Sequence, residues 1–181
     1  MKLLIAGDSF AAKYHGEFPG WADLMEDHYV VENIAQCGVG EYKILKQIES
    51  VNLQDYDVVI ISHTSPYRIH TAMNPLHTDG IHNNCDFIYE DVRGRLPDVE
   101  KFFTEYFDLE YATRIHGLLQ KEIEKILKNS FVIDTKLLGI EKLFKTNRGT
   151  VQHLDKAGNQ KFFFKLQKIL DKHKQKQFLL K

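Results

Sequence analysis

The sequence lacks an apolar run of the length that a membrane-spanning helix needs, and this absence excludes a transmembrane segment. It contains only two cysteines, Cys37 and Cys85, and their separation does not suit a metal site. The sequence also lacks an excess of one charge, because its 24 Lys and Arg nearly balance its 25 Asp and Glu, for a net charge of −1. Without a basic field, nucleic acid is not an expected partner.

What the chain does contain is the composition of one globular domain, with 181 residues of which 43% are hydrophobic and 27% charged. Its first residues, MKLLIAGDSF, become charged too soon for a signal peptide and suit a first strand better. We therefore expect a single domain over 1–181, in the cytoplasm, with reduced thiols and no membrane partner. We expect no cofactor.

Strand and helix patterns alternate along the chain. Apolar, β-branched runs predict strands at 2–6, 29–34, 57–63 and 131–134. Apolar residues at helical spacing predict helices at 21–28, 41–50, 99–127 and from Asp155 onward, with Asp155 as the N-cap. This alternation predicts an α/β fold with a parallel sheet that is covered on both faces. In such sheets the functional site lies at the carboxyl ends of the strands.

An irregular excursion interrupts this alternation at about 64–98, where prolines, glycines and histidines mix with polar residues. Long loops in compact domains are often functional lids. The helix predicted after it carries an apolar stripe that we expect to be buried, formed by Phe102, Phe103, Tyr106, Ile115, Leu118, Leu119, Ile123 and Ile126.

Three short segments carry residues suited to nucleophilic catalysis. Ser9 follows the first predicted strand within Gly-Asp-Ser-Phe, which exposes its hydroxyl where backbone N–H groups can stabilise an oxyanion. His153 stands just before the last predicted helix, from which it could act as the base that a serine requires. Gly38 follows the second strand, and its N–H could also point into the site. Each segment alone is equally compatible with an ordinary turn, a capping histidine or a glycine turn.

Taken together and in this order, the segments GDSF, NIAQCGVGEYKI, DVVIISHTSPYR and HLDKAGNQKFFF resemble the SGNH/GDSL hydrolases, from Lys2 to about Phe164. The resemblance implies a flavodoxin-like, three-layer α/β/α sandwich. It implies an enzyme that cleaves esters and related acyl groups, including acetyl groups on sugars. It assigns the nucleophile and one oxyanion N–H to Ser9, a second oxyanion N–H to Gly38, and the base to His153.

The chain departs from the family pattern at two places. The third segment usually carries an asparagine that completes the oxyanion hole, whereas here Thr64, Ser65 or Arg68 would have to supply a donor. The last segment usually carries an aspartate three residues before the histidine, and Thr150 occupies that position. A carboxylate fixes the histidine tautomer and stabilises imidazolium, so its absence would weaken the base. Asp134 or Asp155 could orient His153 from elsewhere.

An alternative acid–base pair is Asp79 and His82, whose spacing matches the usual last segment but whose place in the chain is far too early. Two functional alternatives also stay open. One is an acyltransferase that uses the same Ser–His pair with an alcohol acceptor, and the other is a non-catalytic binding protein on a decayed hydrolase fold. The expected partner in each case is a small molecule or a glycan.

Two further groups of residues have a functional and an ordinary interpretation. Histidines at 63, 70, 77 and 82 could suggest zinc, but their spacing is unlike that of compact ligand pairs and favours a solvated loop. Aromatic residues near the predicted strand ends could form a sugar-stacking wall or could simply pack, namely Phe10, Tyr14, Tyr42 and Tyr67.

Overall fold

The computed structural model describes residues 1–13, 17–77, 80, 82–149 and 153–179. A four-stranded, all-parallel sheet lies at its centre, with the strand order β2-β1-β3-β4. The strands are β1 (Lys2–Gly7), β2 (Val30–Asn33), β3 (Val58–Ser62) and β4 (Val132–Asp134). The predicted α/β fold is confirmed, and its architecture is consistent with a flavodoxin-like three-layer sandwich.

Within the described residues, seven α-helices accompany the sheet: α1 (Trp21–Glu26), α2 (Glu41–Glu49), α3 (Tyr89–Val92), α4 (Pro97–Glu105), α5 (Leu109–Leu127), α6 (Ile140–Thr146) and α7 (Lys156–Leu179). Asp155 caps α7 as predicted, because its carboxylate accepts a hydrogen bond from the Gly158 N–H at 2.6 Å. The excursion at 64–98 contains α3 and the first residues of α4, and one antiparallel bridge joins Ile69 to Phe87.

The sheet divides the core into two layers because successive strand side chains point to opposite faces. On one face Leu3 and Ile5 pack with the apolar sides of α1, α6 and α7. On the other face Leu4 and Ala6 pack with α2 and the C-terminal part of α5. Unbroken apolar strands are the expected signature of a sheet that is buried on both faces.

The long helix predicted at 99–127 is two helices. The chain breaks at Tyr106, and Asp108 then caps α5 by accepting a hydrogen bond from the Tyr111 N–H at 3.0 Å. The predicted buried stripe is also wrong over most of its length: Tyr106 is 65% exposed and Leu118 49%, while Ile123 is buried. The apolar residues do share one side of the helices, but the N-terminal ones face a cavity and solvent rather than the sheet.

The carboxyl end of β1 is fixed by close contacts with its neighbours. Gly7 has φ +145°, and a Cβ there would overlap the backbone of Ser62 on β3. The side-chain amide of Gln47 on α2 donates to the Gly7 carbonyl at 3.1 Å and accepts from the Gly7 N–H at 2.8 Å. These contacts hold the segment that leads directly into Ser9.

No helix in the described part of the chain is both long and apolar enough to span a bilayer.

Candidate active site

Ser9 lies in a tight turn at the carboxyl end of β1. The Asp8 carbonyl accepts hydrogen bonds from the Ala11 and Ala12 N–H groups, both at 3.0 Å. The Asp8 carboxylate accepts from the Phe10 N–H and from the Ser62 hydroxyl, both at 3.1 Å. Burial raises the pKa of Asp8 to about 6. The turn thereby places the half-buried Ser9 at the sheet edge where sites of this fold form.

His153 lies just before α7, in a segment held by backbone hydrogen bonds. The His153 carbonyl accepts from the Gly149 N–H at 2.7 Å, and the Asn147 carbonyl accepts from the Asp155 N–H at 2.8 Å. The imidazole packs against Phe10, with the ring centroids 5.4 Å apart. The residue that follows Ser9 therefore contacts the ring of the predicted base.

Ser9 and His153 line the same narrow cavity, whose volume of about 20 Å³ suits a group the size of a water molecule. Trp21 and Asn159 also line it, and the Asn159 side-chain oxygen accepts a hydrogen bond from the backbone N–H of Trp21 at 2.9 Å. Ser9 and His153 are both described residues, and the structure shows no hydrogen bond between them. Catalytic hydrogen bonds in unliganded enzymes are often long and tighten when substrate binds.

The two N–H groups predicted to bind an oxyanion belong to Ser9 and Gly38. Within the part of the chain that the structure describes, neither the Ser9 nor the Gly38 N–H donates a hydrogen bond. Gly38 has φ +69°, and its carbonyl accepts from the Asp86 N–H and the Arg68 guanidinium, both at 2.9 Å. Gly38 packs against Cys85, a free cysteine whose pKa burial raises to about 11. Gly38 itself does not line the Ser9 cavity.

The candidate third oxyanion donors lie around a second cavity. Ser65 and Arg68 line that cavity, and Thr64 is buried beside it. The Thr64 hydroxyl oxygen accepts from Arg68 Nε at 3.3 Å. Arg68 therefore connects this segment to Gly38, and its positive charge lowers the pKa of Asp8 against the larger effect of burial.

None of the described carboxylates proposed to orient His153 contacts it. Asp155 caps α7, and Asp134 accepts from the Lys136 N–H at 2.7 Å; within the described residues neither forms a hydrogen bond or ion pair with His153. Thr150, at the position of the usual aspartate, lies outside the described residues, as do Asp79 and Tyr14.

His82 lies beside His77, with ring centroids 5.6 Å apart, and does not line the Ser9 cavity. Three of the histidines face three different carboxylates: His63 faces Glu41, His70 faces Asp86 and His77 faces Asp91. Among the described residues, no group of three or more His, Cys, Asp or Glu could hold a metal ion.

The second cavity has a volume of about 440 Å³, within the range of small-molecule sites. Its wall is apolar and comes from α4, α5 and the segment between them, whereas its polar side comes from Arg68, Glu41, His116, His70 and Asp86. Tyr42 also lines it. Of the other aromatic residues expected near the strand ends, Phe10 lines the Ser9 cavity and Tyr67 is 56% exposed outside both.

A buried carboxylate–histidine network borders this second cavity. Glu41 binds the Nδ1 of His63 at 2.5 Å and the Nε2 of His116 at 3.1 Å. His116 Nε2 also lies 3.0 Å from the Thr64 carbonyl, so this nitrogen carries the proton and donates. Burial opposes both charges, yet these hydrogen bonds lower the pKa of Glu41 and raise that of His63.

The Glu41–His63 pair predicts a pH-dependent contribution to stability. The lowered pKa of Glu41 stabilises the fold above its ordinary value of 4.5, and the raised pKa of His63 does so below its ordinary value of 6.5. Urea unfolding should therefore show the largest loss for Glu41→Gln at about pH 5.5, because both groups are then fully charged in the fold. The loss should shrink as the pH rises through the raised pKa of His63.

Glu105→Gln is the matched control, because Glu105 is exposed and its ion pair with Lys101, at 3.9 Å, contributes little to stability. A Glu41→Gln deficit that stays constant or grows towards about pH 8.5 would show that the pair is not ionised as proposed.

The sequence matches no protein-family model and no curated protein, so the candidate site rests on its own geometry. The segment order brings Ser9 and His153 to one cavity, whereas the role of Glu41 and His116 could not be predicted. Glu41 looks like an ordinary first-turn acid of α2, and His116 lies in a helix whose orientation the apolar spacing did not reveal. The structure adds the fact that the Glu41 side chain is nearly inaccessible to solvent, which is unusual for a glutamate in the first turn of a helix.

Proposed function

We propose that the chain is a serine hydrolase that cleaves an ester or O-acyl group on a carbohydrate or another small polar substrate, with Ser9 as nucleophile and His153 as base. The observation that carries this proposal is that the two residues, from opposite ends of the chain, line one cavity. The Ser9 N–H, which donates no hydrogen bond within the described residues, supports it, because an acyl transfer needs donors for the developing oxyanion. The second donor assigned to Gly38 stays a prediction.

In the proposed mechanism Ser9 Oγ attacks the ester carbonyl carbon while His153 accepts the hydroxyl proton. The tetrahedral intermediate collapses when the bond to the leaving oxygen breaks, and His153 donates the proton to that alcohol. Water then attacks the acyl-serine with His153 as base, the Oγ–carbon bond breaks, and Ser9 recovers its proton. The products are a carboxylic acid and an alcohol.

The narrow cavity makes a short acyl group the preferred substrate. A volume of about 20 Å³ between Ser9, Trp21 and His153 leaves no room for a long chain unless the lining residues move. We expect kcat/KM for p-nitrophenyl acetate to exceed that for the octanoate by about tenfold or more, since each misplaced methylene group costs on the order of 1 kcal/mol.

Steady-state hydrolysis of an acetate, butyrate and octanoate series measures this preference. Trp21→Ala should raise the relative rate of the longer esters, because it removes a side chain next to the cavity. A wild-type preference for octanoate would contradict the short-acyl assignment, and hydrolysis of none of the esters would contradict the hydrolase itself.

A further inference from the structure

The larger cavity has the volume and lining of a small-molecule site, and it is separate from the cavity that holds Ser9 and His153. It has no lining residue in common with the Ser9 cavity. Its wall consists of side chains that remain accessible: Tyr111 is 67% exposed, Tyr106 65% and Phe102 45%. Aromatic rings grouped around an open cavity of about 440 Å³ offer a stacking surface to an apolar ligand.

Arg68 supplies this cavity with a cation whose hydrogen-bond acceptors are neutral; its charge also lowers the pKa of the nearby Asp8, which accepts no hydrogen bond from it in the described residues. Its guanidinium donates to the Gly38 carbonyl at 2.9 Å and to the Thr64 hydroxyl oxygen at 3.3 Å. Within the described residues it has no carboxylate at ion-pair distance, and its Nη2 donates no hydrogen bond. Arginine stays charged at all relevant pH values, and its planar fork matches a carboxylate.

The other charged groups at the cavity already have partners. Glu41 is bound by His63 and His116, and Asp86 is bound by Lys43 at 2.8 Å. Asp108, the third carboxylate in the lining, accepts from the Tyr111 N–H at 3.0 Å. Arg68 is therefore the group left to receive an anion. Because Glu41 and Asp86 are themselves negative, a dianion such as phosphate would be repelled more strongly than a monoanion.

We propose that this cavity binds a small monocarboxylate with an aromatic body, whose carboxylate pairs with Arg68 and whose ring packs against Tyr106 and Tyr111. The helices α4 and α5 that form the wall place few side chains in the core: α4 buries none of its residues, and α5 buries only Ile123 and Leu127. The wall is thus free to serve a ligand rather than the fold.

Calorimetric titration of the full chain with 2-naphthoate, and with 2-naphthamide as its uncharged match, tests the proposal. Naphthoate should bind about ten- to a hundredfold more tightly, the range expected for a charge-assisted hydrogen-bonded pair. Arg68→Met should remove most of that difference, whereas Arg95→Met, which changes an exposed arginine outside the cavity, should not. Ser9→Ala should bind naphthoate as the wild type does, so that a failed hydrolase proposal leaves this result unaffected.

Ile115→Trp provides a second variant that does not touch Arg68. Ile115 is 37% exposed and lines the cavity, so the larger side chain should fill it without disturbing the core, and naphthoate binding should be lost. Equal affinity for naphthoate and naphthamide would overturn the proposal, as would naphthoate binding that survives both Arg68→Met and Ile115→Trp. Absence of naphthoate binding would also overturn it, including the case in which sedimentation shows a second copy of the chain covering this face.

Discussion

The Ser9→Ala variant is expected to lose about 10³-fold or more in kcat/KM for p-nitrophenyl acetate, because without the hydroxyl no acyl-enzyme can form. His153→Ala should lose a similar factor, because serine is a weak nucleophile without a base. Since the two groups act as one unit, the double variant should be about as slow as either single variant rather than slower by the product. Steady-state hydrolysis of the three variants measures all of these effects.

Two control variants test whether the loss of activity is specific to Ser9 and His153. Ser130→Ala changes a serine between α5 and β4, outside the Ser9 cavity, and should leave the rate unchanged. His82→Ala tests the rival acid–base pair and should also leave it unchanged. Loss of activity in His82→Ala with retention in His153→Ala would transfer the role of base to His82.

The largest expected effect on stability comes from Asp86. Its side chain is fully buried and binds the Lys43 ammonium at 2.8 Å, the Gly40 N–H at 2.6 Å and the Thr71 N–H at 3.0 Å. Asp86→Asn keeps the shape but leaves the Lys43 ammonium buried without its counter-charge. Breaking one side of a buried ion pair typically costs about 3–5 kcal/mol, a large part of the total stability of a domain of this size.

Urea unfolding of Asp86→Asn should show this loss as a lower midpoint with an unchanged slope. Asp91→Asn is the matched control, because Asp91 is partly exposed and lies 3.4 Å from His77, so its loss should be small. The double variant Asp86→Asn with Lys43→Met should recover part of the deficit, since no charge is then left unpaired. A loss below about 1 kcal/mol in Asp86→Asn would mean that Lys43 reaches solvent without its partner.

The central strands β1 and β3 could be predicted from the sequence because their burial on both faces leaves an unbroken apolar signature. The five residues of β3 are all buried, and the pattern at 57–63 reports this directly. The prediction that the apolar side of α4 and α5 is buried was wrong for a physical reason. Apolar spacing shows that one side of a helix avoids water, but it does not show whether that side contacts the core, a ligand or another chain. Here the N-terminal half of α5 faces a cavity.

Some residues of the candidate site could be predicted from the sequence and others could not. Ser9 and His153 follow from the order of segments, because a parallel α/β sheet brings strand ends and the starts of helices to one edge. The Glu41 network and the free face of Arg68 depend on contacts between α2, α5 and the segment after β3. No local spacing encodes those contacts, so they emerge only in the folded chain.

Treatment of the full chain with a fluorophosphonate, followed by intact-mass measurement and peptide mapping, tests the Ser9–His153 pair most directly. The reagent phosphonylates a serine hydroxyl that a neighbouring base has activated. We predict a single adduct located on Ser9, absent in Ser9→Ala and formed at least about 100-fold more slowly in His153→Ala. An unlabelled wild-type chain, an adduct on a different serine, or equal labelling rates with and without His153 would contradict the account.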